Sequence, residues 1–231
     1  MAAPTALITG ASAGLGHALA TALSGRGWRL VVDARDAVRL NDAVAALPRP
    51  DLVTAVPGGV ADPGHRAELA AAVGDRLDLL VNNASDLGPT PLPRLADLPP
   101  AQLQRVLAVN AVAPLALIQL VLPALRAAGG TVLDISSDAA VEAYEGWGGY
   151  GASKAALDQL TAVLAVEEPE LRLHAVDPGD MDTAMHRAAD PTATGLPSPD
   201  TVVPALLRLV DERPPSGRYR AADLAPSRVT G

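Results

Sequence analysis

Tyr150 and Lys154 stand four residues apart in the stretch GGYGASKAAL, and Lys154 is the only lysine in the chain; every other basic residue is arginine. Four residues is about one helical turn, so on a helix the two side chains share a face. A free phenol ionises near pH ~10, and it exchanges its proton near neutrality only with a positive charge close by. Lysine offers a compact three-donor ammonium, whereas the guanidinium of arginine is planar and bulkier. A chain that writes arginine everywhere else and keeps one lysine here points to chemistry at that position. An ordinary i,i+4 pair on a solvated helix face fits the same spacing, so other residues must decide.

Several other groups carry a similar signal. Gly10, Gly14 and Gly16 in TGASAGLG lie between an expected strand and an expected helix. Missing side chains there let the backbone approach a pyrophosphate at a helix N-terminus. The spacing departs from G-x-G-x-x-G, because Leu19 holds the third glycine position. Any tight strand-to-helix turn needs glycine, so this turn alone is weak. Asn82 and Asn83 end a strand in NNAS, and Asn110 is a polar residue inside the apolar LAVNAVAP. Ser136 and Ser137 end a strand in ISSD, and Pro178 and Gly179 open DPGDMDT. Taken singly, each has a plain structural explanation; jointly they lie at strand ends or on elements flanking one crevice.

Short apolar runs alternate with longer amphipathic ones. The spacing predicts strands at TALITG, WRLVVDA, DLVTAV, LDLLVNNAS, GGTVLDISS and LRLHAVDPG, and a last strand through Arg218 to Arg220. Helices are expected between them, one of them from about Pro100 to Ala127, bent or split by Pro114 and Pro123. Tyr150 and Lys154 fall on a helix from about Gly149 to Glu167. Strands alternating with helices give βαβ units, hence an α/β, doubly wound Rossmann-type parallel sheet with helices on both faces. Its ligand crevice lies at the carboxyl ends of the strands. The 231 residues suffice for one core, so residues 1–231 read as a single domain. The stretch ADPTATGLPSPD reads as part of a mobile lid at about 183–200.

Composition excludes other classes. No cysteine is present, which removes disulfides, thiolate metal ligands and a cysteine nucleophile; no metal site is expected. A net charge of −8 argues against nucleic-acid binding, and any ligand phosphate must be held locally by amides or single arginines. No uninterrupted apolar run reaches the ~18 residues of a membrane span. The N-terminal MAAPTALITG lacks the charged region of a signal peptide, so the expectation is a cytoplasmic protein without membrane partners.

On these motifs the chain resembles the short-chain dehydrogenase/reductase family from about residue 4 to 185. T-G-x-x-x-G-x-G is matched by Thr9, Gly10, Gly14 and Gly16, and N-N-A-G by NNAS with one change. Y-x-x-x-K is matched by Tyr150 and Lys154, and P-G-x-x-x-T by Pro178, Gly179 and Thr183. The family's serine lies thirteen residues before the tyrosine, which selects Ser137, and Asn110 fills the remaining place of an Asn-Ser-Tyr-Lys tetrad. The resemblance implies that Tyr150 is the general acid/base and that Lys154 lowers its pKa and holds the nicotinamide ribose. It further implies that Ser137 binds the substrate oxygen and Asn110 positions a relay water. Thr9, Gly10, Ser12, Gly14, Leu15, Gly16, Asn82, Ala84, Tyr150, Lys154, Pro178, Gly179 and Thr183 would hold the cofactor, in a homodimer or homotetramer.

An acid after the second strand would bind the ribose hydroxyl of NAD, and an arginine the 2′-phosphate of NADP. Spacing alone would nominate Asp33 in VVDARD. The family register instead puts Ala34 at the acid's place and Arg35 after it, so NADP(H) is favoured and NAD(H) is the alternative. Gly59 replaces the family's adenine-side aspartate, and Ser85 replaces the glycine of N-N-A-G. Asp138, Tyr144, Trp147 and Met181 should line the substrate pocket, an acidic and aromatic rim suited to a polar or cationic substrate. The activity implied is carbonyl reduction or secondary alcohol oxidation. A dehydratase or epimerase would be expected to show a different glycine spacing. A non-catalytic nucleotide-binding regulator is the rival from another class, and a complete tetrad disfavours it.

Overall fold

The computed structural model describes residues 3–224. Seven strands, β1 (Thr5–Ile8), β2 (Arg29–Ala34), β3 (Val53–Pro57), β4 (Leu79–Asn82), β5 (Thr131–Ile135), β6 (Arg172–Asp177) and β7 (Gly217–Arg220), form one sheet in the order β3-β2-β1-β4-β5-β6-β7. Every pairing is parallel. The order reverses between β1 and β4, and strands that diverge there open a crevice at their carboxyl ends.

Alternate residues of each strand feed two cores. Ile8, Val32, Val81 and Ile135 face one layer, built on α1 (Gly14–Gly25) and α8 (Val203–Glu212). Leu7, Val31, Leu80 and Val132 face the other, with α3 (Pro63–Val73) and α5 (Ala113–Ala128). This period of two, apolar on both faces, is what a parallel sheet covered on both sides requires. The helix α8, not anticipated from sequence, closes the first layer through buried Leu206 and Leu209. Between it and α7 (Ala184–Ala189), residues 190–198 form an irregular loop.

The long central helix is interrupted, but not in the expected manner. After α4 (Pro100–Leu107) the backbone widens into a π-type turn over Ala108–Val112, and α5 then continues through Pro123 without a break. A proline ring clashes with the carbonyl four residues back, which for Pro114 is Asn110. The wide turn sits at that carbonyl, so Pro114 and the placement of Asn110 share one cause. By length and composition Pro100–Ala128 could cross a membrane. In the fold, its Leu117, Ile118, Val121 and Leu125 are buried in the second core. The remaining helices are α2 (Ala37–Ala45), α6 (Gly148–Glu167) and α9 (Ala221–Leu224).

Candidate active site

A crevice of about 620 Å³ runs along the carboxyl ends of the strands. At one end it is walled by backbone. Gly10 and Gly14 adopt left-handed φ values of 69° and 58°. A Cβ on Gly10 would lie 3.0 Å from the Cα of Ala84, so β1 can approach β4 only with glycine there. Helix α1 starts at this turn with Ala13 at its N-cap, no side-chain cap and no acid in its first turn. Its first amides therefore face the crevice without a side-chain acceptor, an arrangement suited to an anion. Ser12 and Leu15 line the same end, as do Arg35 and Arg39.

At the other end the walls are buried side chains. Tyr150 and Lys154, on α6, are 8% and 2% exposed. The ammonium lies 5.5 Å from the centre of the Tyr150 ring and donates to the Ile135 carbonyl at 2.7 Å. Trp147 packs edge-on against the phenol ring at 5.7 Å. Ser137 Oγ donates to Asp138 Oδ1 at 2.9 Å and accepts from the Ala139 amide, while the Tyr144 hydroxyl donates to Asp138 Oδ2. Asn110 uses its whole amide. Its nitrogen donates to the Asp86 carbonyl and to Ser153 Oγ, and its oxygen accepts from the Asp86 amide and from Ser85 Oγ. Ser153 Oγ passes the chain on to the Tyr150 carbonyl at 2.6 Å.

Burial dominates the electrostatics here. It pushes the Tyr150 phenol up to about 12, against the hydroxyls of Ser85 and Ser137, and the charges of Asp138 and Asp177 push the same way. Burial also brings Lys154 down to about 8, opposed by the carboxylates of Asp134 and Asp158. Burial thus outweighs the neighbouring groups at the phenol in this geometry, with the Lys154 ammonium standing beside the ring. Burial works to raise the Asp138 carboxyl, yet the hydroxyls of Tyr144 and Ser137 and the backbone amides hold it below its usual value.

Most expected site residues meet in this crevice: Pro178, Gly179, Met181 and Thr183 border it together with Ser137, Asp138, Trp147, Tyr150, Lys154 and Ala84. Others do not. Thr9 turns inward, its hydroxyl accepting from the amides of Asn83 and Ala84. Gly16 is a packing glycine, whose Cβ would lie 2.5 Å from the Gly10 carbonyl oxygen. Asn82 is 4% exposed and donates to Asp134 Oδ1 at 2.7 Å; the strand alternation gives the crevice to its neighbour Asn83. Asn110 stands behind the wall, with no side-chain valence left for a relay water, and Tyr144 meets the pocket only through Asp138. Sequence reasoning missed Asp134, buried between Asn82 and Thr161 with its carboxyl pushed up by burial. One charged residue in the apolar strand TVLDI was the available signal. Ser85, noted only as a departure, is a direct neighbour of the phenol.

A cradle that glycine alone fills, an uncapped helix start and a buried Ser136 Oγ without a partner among the described residues fit a dinucleotide. Comparisons with known proteins agree. The short chain dehydrogenase family model matches residues 4–194. Sepiapterin reductase of Rattus norvegicus is 36% identical over 208 residues, covering 81% of this chain and 78% of that protein. The rhamnolipids biosynthesis 3-oxoacyl-[acyl-carrier-protein] reductase of Pseudomonas aeruginosa is 34% identical over 201 residues, covering 81% and 77%. The alcohol dehydrogenase of the archaeon Thermococcus sibiricus, solved in complex with 5-hydroxy-NADP, superposes with a TM-score of 0.85 at 26% identity, covering 95% of this chain and 96% of that one. The chain belongs to the short-chain dehydrogenase/reductase family. It is an oxidoreductase of that family, with the nicotinamide dinucleotide chemistry typical of it.

Proposed function

We propose that this chain is an NADP(H)-dependent carbonyl reductase or secondary alcohol dehydrogenase. One observation carries the reading. Tyr150, Ser137 and Lys154 converge at one end of a crevice whose other end offers Arg35 and an uncapped helix. The nearest acid there, Asp33, has both carboxylate oxygens engaged inside the protein. Arg35 is thus available for a 2′-phosphate, while Asp36 beside it spends its Oδ1 on capping α2.

The nicotinamide supplies or accepts the hydride; the protein orients the partners and moves one proton. In reduction, the Tyr150 hydroxyl donates its proton to the carbonyl oxygen as hydride reaches the carbon, leaving an alcohol and a phenolate. A phenol held at about 12 in the free site is protonated, the form that reduction needs. The Lys154 ammonium behind the ring stabilises the phenolate left behind. Ser137 hydrogen-bonds the same oxygen after its hydroxyl turns away from Asp138. Asn110 acts as a positioning residue, holding Ser85 and, through Ser153, the turn that carries Tyr150. Asp138, with Trp147 and Met181 on the same wall, supports a substrate bearing a hydrogen-bond donor or a cation near its carbonyl. This favours a small polar carbonyl substrate over a carrier-bound acyl group. Val112 and Leu120 along the long helix, and Val163 and Val166 on α6, are exposed apolar side chains that support a homodimer or homotetramer.

The test is a parallel titration with NADPH and NADH, followed by a carbonyl panel read at the nicotinamide absorbance. NADPH should bind at least about tenfold tighter, a difference of ~1.4 kcal/mol, and Arg35→Ser should erase the preference. Tyr150→Phe should bind NADPH normally and lose ~10²–10⁴-fold in turnover. Tighter NADH binding would overturn the cofactor assignment, and an unimpaired Tyr150→Phe enzyme would overturn the mechanism.

A further inference from the structure

Asp33, the penultimate residue of β2, is 1% exposed, with every oxygen it owns committed. Its Oδ1 accepts from the Gly10 amide at 2.7 Å, its backbone carbonyl accepts from the Ala11 amide at 2.8 Å, and its Oδ2 lies 3.0 Å from His65 Nε2. One aspartate thus grips two successive amides of the glycine-rich turn. His65, on α3, is 4% exposed and is the side chain that grips the aspartate. Its other nitrogen, Nδ1, has no hydrogen-bond partner among the described residues; the nearest acid, Glu68, lies 4.0 Å away at the surface. The ring fills the place of a side chain on Gly58, where an added Cβ would fall 2.2 Å from Nδ1. Asp33, Gly58 and His65 come from β2, the turn after β3, and α3, and none belongs to the motifs that carry the family resemblance.

Gly10 is free to take many backbone conformations, so neighbours must fix the left-handed one it adopts here. An aspartate buried to 1% is in turn costly unless both oxygens are satisfied, and without His65 one of them would face apolar surroundings. We propose that His65, acting through Asp33, is a positioning residue that sets the glycine-rich turn for the dinucleotide pyrophosphate, raising affinity for NADPH and NADH alike while touching neither. The proposal rests on the nucleotide-binding reading of the crevice. It assigns the aspartate that spacing would nominate for the NAD ribose to a different task.

The experiment measures dissociation constants for NADPH and NADH by fluorescence titration of His65→Ala, His65→Gln and Asp33→Asn, with thermal melting as the check on folding. His65→Ala should weaken both nucleotides by roughly tenfold, the net size of one hydrogen bond to a charged group. In steady state it should raise the nucleotide KM far more than it lowers kcat. His65→Gln, which keeps an N–H donor, should recover part of the loss. If His65→Ala fails to fold, His65→Gln and Asp33→Asn carry the test, each expected to weaken both nucleotides in equal ratio. Unchanged affinity in the folded variants overturns the proposal. Selective loss of NADH binding in Asp33→Asn also overturns it, by giving Asp33 the ribose. Failure of the unaltered protein to bind either nucleotide overturns the nucleotide reading itself, an outcome distinct from both.

Discussion

At the β1–β2 end of the crevice, behind Arg35 and Arg39, the walls are amides and glycines, and Thr9, Asp33 and Asn83 are turned to holding that backbone. At the β5–α6 end the walls are side chains, and the charged and phenolic ones lie deep enough for burial to move Tyr150 up to about 12 and Lys154 down to about 8. On the proposed function, the first end would recognise a ligand by shape, by unsatisfied amides and by Arg35, none of which titrates near neutrality. The second would perform proton chemistry, which needs groups whose protonation is shifted by their surroundings. The difference predicts where each end is fragile: one at its glycines, the other at its functional groups.

Lys154→Arg should expose that difference most sharply. The ammonium sits 2% exposed against the Ile135 carbonyl, with no room given to a planar fork. Charge is conserved, yet kcat should fall by ~10²–10³-fold, on the scale of a lost general acid/base assembly. The pH profile adds a signed test. Lys154 gives up its proton as pH rises through about 8, so kcat/KM for reduction by the unaltered enzyme should decline above that pH. The arginine variant should lack this limb, because guanidinium stays charged. Near-normal turnover would erase the distinction between the two ends.

Gly16→Ala makes the complementary attack. A single methyl would come within 2.5 Å of both the Gly10 carbonyl oxygen and Asn83 Nδ2, so the turn or the strand beside it must shift. Overpacking of this kind costs ~1–3 kcal/mol, and the displaced amides should weaken NADPH by tenfold or more. Titration and thermal melting of the variant measure both. Unaltered affinity would mean that the turn is not the pyrophosphate cradle.

The same contrast governs how much could be read from sequence. Glycines at a strand-to-helix turn and the Tyr150–Lys154 spacing are local patterns, and the alternation of strands and helices places both beside the carboxyl edge of one sheet. Inward and outward were harder. Asn82 and Asn83 are adjacent, and only the pleat of β4 decides that Asn83 borders the crevice while Asn82 meets Asp134. The pairing of Asp33 with His65 spans 32 residues, and that of Asp134 with Thr161 spans 27. Such contacts are fixed by strand order and helix packing, so no local spacing announces them. Burial around Tyr150 is hidden for a related reason: a charge one turn away is visible in sequence, but the depth of burial that pushes the phenol up is not.

Arg218 offers the smallest effect and the most selective one. From β7 its Nη2 donates to the Ser137 carbonyl at 2.9 Å and its Nε to Asp158 Oδ2 at 2.9 Å, with Asp177 Oδ2 at 3.9 Å. Asp158 lies one turn beyond Lys154 on α6, so a single guanidinium fixes the loop carrying the serine relative to the helix carrying the tyrosine and lysine. Lysine in its place keeps the charge but can reach only one of the two acceptors, because it lacks the fork. Arg218→Lys should therefore lower kcat by several-fold to about tenfold, the cost of one lost hydrogen bond to a charged group, with the NADPH dissociation constant unmoved. Steady-state kinetics beside a nucleotide titration reads both numbers. A larger change in nucleotide affinity than in kcat would mean that the two ends of the crevice are mechanically coupled through the sheet, and that the division between a backbone end and a side-chain end does not hold in function.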